Sequence, residues 1–140
     1  MGLTGDFQKL SQWSKKFAEI GKPSTRFGIA GEMADAHLKA ISRQFERERN
    51  PYGIRWRKKQ KADGRKTLHG PTGKLRRFRK ITVNQYGYRV GSDAPYLKYH
   101  QSGTSRMVAR KVIPDEQRIP VELSREFRRI YVKRMRRALK

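Results

Sequence analysis

Three groups of residues in this 140-residue sequence have types that bear chemistry. Gly70-Pro71-Thr72-Gly73-Lys74 has the glycines and lysine of a phosphate loop. His37, His69 and His100 supply imidazoles. The stretch from Arg55 to Lys80 supplies many cations, interleaved with Trp56 and Phe78. A phosphate loop has the form G-x-x-x-x-G-K-[ST] and joins a strand to a helix. Here Leu75 follows Lys74, so the magnesium-binding hydroxyl is missing. The residues beyond it read as a strand. The segment is therefore expected to be a turn that delivers Leu75 to the core.

The histidines do not combine. None pairs with another at a ligand spacing such as H-x-x-x-H. His37 has Glu32 and Asp35 nearby in sequence, but acid–base work needs converging carboxylates. Residues 51–110 offer only Asp63 and Asp93. No serine sits in a nucleophile elbow, and the absence of cysteine excludes disulfides and thiolate metal sites. The expectation is a protein with no catalytic site, no cofactor and no metal.

The cations are the dominant feature. Net charge is +23, and residues 51–110 carry 16 basic against 2 acidic residues. Such a balance calls for an anionic partner. Arg55, Arg57, Lys58, Lys59, Lys61, Arg65, Lys66, Arg76, Arg77 and Arg79 are the candidate contacts to DNA or to an acidic protein. Arginine and lysine neutralise phosphates, and aromatics stack on bases. No RNP signature or zinc finger accompanies them. No apolar run approaches the roughly 18 residues of a membrane span. The first residues lack a signal-peptide layout, and the composition fits a soluble protein made in a reducing cytosol.

The elements that must position these residues follow from periodicity. Residues 6–20 place Phe7, Leu10, Trp13, Phe17 and Ile20 on one helical stripe, ended by Gly21 and Pro23. This helix is expected either to pack or to dock a partner. A second, longer helix starts at a Ser24 or Thr25 cap. Phe27, Ala30, Ala34, Leu38, Ile41 and Phe45 mark one of its faces. Residues 50–78 lose periodicity and form a long basic loop. Loops of that length are usually functional or disordered. Residues 80–83 and 88–90 read as a hairpin, with Ile81 and Val83 on one face of its first strand. Residues 95–101 read as a helical turn closed by Gly103, 105–113 as a third strand, and 121–140 as a final helix. The fold class is α+β. A small antiparallel sheet of three to four strands packs against the long helix and the C-terminal helix. Residues 1–22 form an N-terminal helix, and 23–140 form one domain.

The order of motifs carries a resemblance. A long helix ending at Phe45 is followed by N-P-Y-G-I-R-W at 50–56. T-L-H-G-P-T-G-K-L at 67–75, R-V-G-S at 89–92, A-P-Y-L-K-Y-H-Q-S-G-T at 94–104 and A-R-K-V-I-P at 109–114 come next. This pattern resembles the virion morphogenesis, or tail-completion, family of Mu-like long-tailed phages, over roughly residues 27–135. The matching positions include Pro51, Gly53, Trp56, Thr72, Gly73 and Leu75 as structural motif residues. Leu97, Val108 and the arginines after Leu75 depart from the usual pattern.

The resemblance implies a structural protein of the virion, made in the host cytoplasm and placed at the head–tail neck. It implies a homo-oligomeric ring, hexamer or dodecamer, that joins connector or head-completion proteins to the tail tube or terminator. DNA would pass through its lumen. Tyr96, His100, Gly103 and Arg110 are the expected subunit or partner contacts. The competing reading is a stand-alone basic nucleic-acid-binding protein.

Overall fold

The computed structural model describes residues 7–140. Helix α1 spans Phe7–Gly21 and α2 spans Pro23–Arg47. Strands β1 (Phe78–Asn84) and β2 (Gly87–Ser92) form an antiparallel hairpin, followed by α3 (Leu97–Ser102) and α4 (Val121–Leu139). Asp6, where periodicity starts the first helix, and the side chain of Phe7 lie outside the described residues.

The fold class is α+β, with a smaller sheet than the sequence suggests. Among the described residues the sheet has two strands. Residues 105–113 do not form a third strand. That stretch makes one isolated bridge, Thr104 to Met107, and otherwise runs as irregular chain. Its backbone groups are taken by side chains instead. Gln101 Oε1 accepts from Val112 N at 2.9 Å and from Ile113 N at 3.0 Å, while Gln101 Nε2 donates to Ile113 O at 2.7 Å. A lone hairpin is marginal in water. This one is held by packing against α2.

Helix α2 forms the spine. Its N-terminus has Lys22 at the cap position and Pro23 in the first turn, without a side-chain cap. The expected Ser24 or Thr25 cap is therefore displaced, because a proline's fixed φ suits that first turn. Thr25 Oγ1 instead donates to Glu19 O at 2.9 Å, tying α1 to α2. At the other end Glu48 adopts a left-handed φ of 52° and its N–H caps the last carbonyls.

The core gathers on one side of α2. Ile41 and Phe45 meet Trp56, Leu68, Leu75, Ala94 and Val112, and Phe78, Val90 and Leu97 pack around them. Phe45 meets the Trp56 ring edge-on, with centroids 5.4 Å apart. Further up the helix, Ala30, Ala34 and His37 are buried, as are Leu123 and Ile130 of α4. Gly28 faces Arg134 of α4 there. The Arg134 guanidinium lies 3.2 Å from where a Cβ would stand, and it pairs with Glu32.

One apolar pattern differs from expectation, and another is left open. A bulge between Lys80 and Thr82 breaks the alternation of β1. Ile81 lies over Gly91 and is half exposed, while Val83 points toward Gly31 of α2. The stripe on α1 is also open. Leu10 (62%), Trp13 (47%) and Phe17 (55%) are largely exposed, as is Phe27 (53%) on α2.

Candidate functional site

The segment from Tyr96 to Arg110 is a compact knot. Tyr96 leads into α3, and His100 stands one turn later with its ring edge-on to Tyr96, centroids 6.1 Å apart. Gly103 ends the helix at φ 75°. A Cβ there would lie 2.9 Å from Ala109 N and 3.0 Å from Met107 O. Glycine therefore permits both the left-handed turn and the close return of residues 107–109. Arg110 N then donates to His100 O at 2.7 Å. The Arg110 side chain reaches in the other direction. Its Nε donates to Arg57 O at 2.7 Å and its Nη2 to Lys58 O at 3.1 Å. Tyr96, His100, Gly103 and Arg110 are thus brought together, and Arg110 links them to the basic arm of residues 50–78.

That arm is anchored at both ends. At its start Asn50 Oδ1 accepts from Tyr52 N and Ile54 N, each at 2.9 Å, and Gly53 makes the turn at φ 86°. Pro51 sits inside this turn. Trp56 is buried, with its N–H donating to Glu48 O at 2.8 Å and its indole Nε1 to Lys111 O at 2.8 Å. At its far end Glu48 Oε1 accepts from Thr67 N at 2.6 Å, and Thr67 and Leu68 are buried. That hydrogen bond holds the Glu48 carboxyl below the usual range.

Gly70 (φ 57°) and Gly73 (φ 63°) then turn the chain, and Thr72 lies exposed between them. Leu75 follows in a single 3-10 turn, Lys74–Arg76, and is buried. The segment that looked like a phosphate loop leads into a strand rather than a long helix, and serves to seat Leu75.

The ten candidate basic contacts divide into two groups. Lys59 and Arg65 pair with Asp63, at 2.7 and 3.8 Å. Lys66 and Arg76 pair with Glu46, at 3.0 and 3.9 Å, and Arg79 grips Asp93 with its nearest contact at 2.8 Å. These pairs are exposed and contribute little stability each. Arg55, Arg57, Lys58, Lys61 and Arg77 pair with no carboxylate among the described residues. Arg77 donates to Thr72 O at 3.2 Å. The candidate cations thus comprise a neutralised set and an unneutralised set.

The histidines sit in three separate settings. His37 Nδ1 shares a 3.1 Å hydrogen bond with the Tyr88 hydroxyl, and its Nε2 is buried without a partner. Burial lowers the His37 pKa and pushes Tyr88 up to about 12. His69 stacks edge-on against Phe45. His100 has a buried, unpartnered Nδ1, and burial together with the Arg110 charge lowers its pKa. Among the described residues no three His, Asp or Glu side chains converge as metal ligands. No described helix is long and apolar enough to cross a membrane.

The residues that wire the site together carry no motif signal of their own. Gln101 holds 112–113, Gln44 Nε2 donates to Val112 O at 2.9 Å, and the Tyr52 hydroxyl bridges Asp115 N and Arg118 O at 2.8 and 2.9 Å. Only their position beside motif residues hinted at this, because side-chain to backbone bonds across 11 to 68 residues have no periodicity.

This chain belongs to the phage virion morphogenesis family, which it matches over residues 5–132. The match takes in α1, which the motif resemblance left outside. No curated protein and no solved structure matches the chain.

Proposed function

We propose that this protein is a structural component of the head–tail joint of a long-tailed phage. It acts as a tail-completion or tail-terminator subunit, assembles as a homo-oligomeric ring and does no catalysis. The family membership carries the virion role. The arrangement of charge supports the position. Arg55, Arg57, Lys58, Lys61 and Arg77 lack carboxylate partners among the described residues and sit on an arm braced by Trp56 and Arg110. A rigid cationic arm suits contact with an acidic neighbouring ring or with DNA in a lumen. The subunit edges would include the Tyr96–Arg110 knot and the open apolar stripe of α1, since ring subunits must share surfaces. Asymmetric cryo-electron microscopy of the particle tests this. Ring density at the joint that fits α2, the hairpin and α4 supports the reading, and a joint without such density overturns it.

A further inference from the structure

A second surface borders the start of the arm, where Asn50, Tyr52 and Arg55 line it. The C-terminal half of α2 and the start of α4 enclose an open groove of about 1020 Å³. Arg43 and Arg47 stand one turn apart on its α2 wall, and Arg125 and Arg129 one turn apart on its α4 wall. Arg129 pairs with Glu126 at 3.4 Å. Arg43, Arg47 and Arg125 have no carboxylate partner among the described residues. Between the walls the lining is mixed, with Gln44, Asn50 and Tyr52 beside apolar side chains. The apolar ones include Ala40, Ile119 (60% exposed) and Val121 (65% exposed). Exposed aliphatic side chains flanked by unpaired arginines call for an occupant with both an apolar face and negative charge.

We propose that this groove docks an acidic amphipathic helix from another protein. A helix laid in a groove is read by anchors three and four residues apart. Arginine ladders spaced by one turn match carboxylates at the same spacing. Nucleic acid fits less well, since Glu46, Glu48, Glu122 and Glu126 also line the groove and would face a continuous polyanion. A second copy of this chain fits less well too. Its own amphipathic helices are cationic: α1 carries Lys9, Lys15 and Lys16 against Glu19, and α4 carries seven arginines and lysines against Glu122 and Glu126. In the virion role proposed above the occupant is a neighbour at the joint. The groove's chemistry is testable without that role, on the isolated chain.

The probe is a synthetic amphipathic peptide of about five helical turns, with a leucine–alanine stripe flanked by glutamates. A scrambled peptide of equal composition serves as control. The full chain is titrated by calorimetry and by amide chemical-shift mapping. The helical peptide is expected to bind, to shift amides around Arg47 and Arg125, and to bind at least tenfold more tightly than the scrambled one. Combining Arg47→Glu with Arg125→Glu is expected to weaken binding at least tenfold, whereas Arg89→Glu on β2, outside the groove, leaves it unchanged. If the double variant fails to fold, the shift map on the unaltered chain decides. No binding, equal binding of the scrambled peptide, or shifts confined to residues 55–80 overturns the proposal. So does an equal tenfold loss of affinity for a short DNA duplex in the double variant, which would make the groove a phosphate reader. None of these outcomes depends on where the protein sits in the particle.

Discussion

Arg110 and Gly103 show how single residues set the shape of the candidate site. Arg110 places two guanidinium nitrogens on consecutive carbonyls of the arm, a forked contact that lysine cannot reproduce. Arg110→Lys is expected to cost about 1 kcal/mol and to speed proteolytic cleavage between residues 57 and 66. Unchanged cleavage would mean that the arm is held elsewhere. Gly103→Ala combines positive φ with a backbone collision and is expected to cost about 1–3 kcal/mol, read as a lower unfolding midpoint in urea. The histidines set a pH response. His37 and His100 both have pKa values lowered by burial, so the unfolded chain binds protons that the folded chain refuses. Their contribution is fully present above their unfolded value of 6.5 and is lost as pH falls below it. The exposed carboxylates held low by Lys59, Lys66 and Arg79 act only below their own unfolded values of about 4. The melting temperature should therefore fall between about pH 7 and pH 5.5. That slope should vanish in a variant combining His37→Gln with His100→Gln. A slope that survives would place its origin in other groups.

At the scale of elements, the ends of the long loop behave as core. Trp56, Leu68 and Leu75 all join Ile41 and Phe45. Trp56→Ala should cost about 3–5 kcal/mol and release the arm along with the stability. The α1 stripe is the opposite case. Phe17 is more than half exposed, so Phe17→Glu should change stability by no more than about 0.5 kcal/mol, measured by thermal melting. A larger loss would show that the stripe packs within the subunit.

Much of this architecture was readable in advance for physical reasons. The helices α2 and α4 announce themselves by 3.6-residue periodicity, and Gly103 by its place after a helical turn. The third strand expected over residues 105–113 does not form, because these β-branched and aliphatic residues bond to Gln101 rather than to a neighbouring strand. The bulge at Ile81 was hidden because alternation cannot register one inserted residue. The groove between α2 and α4 was invisible, since Arg43, Arg47, Arg125 and Arg129 come together only when two distant helices pack.

At the scale of the whole molecule, charge is the governing constraint. A net charge of +23 on 140 residues makes any close ring self-repelling unless anions intervene. Raising ionic strength from about 0.1 M to about 1 M shortens screening from about 10 Å to about 3 Å. It should shift the purified chain toward oligomers in sedimentation. An insensitive distribution would place the subunit contacts clear of the cationic surfaces. Family membership places the chain in virion morphogenesis. The most direct test of the structural role is electron microscopy of particles assembled in its absence. DNA-filled heads and finished tails should accumulate unjoined, and adding the purified protein should join them. Joined particles that form at normal yield without it would contradict the account.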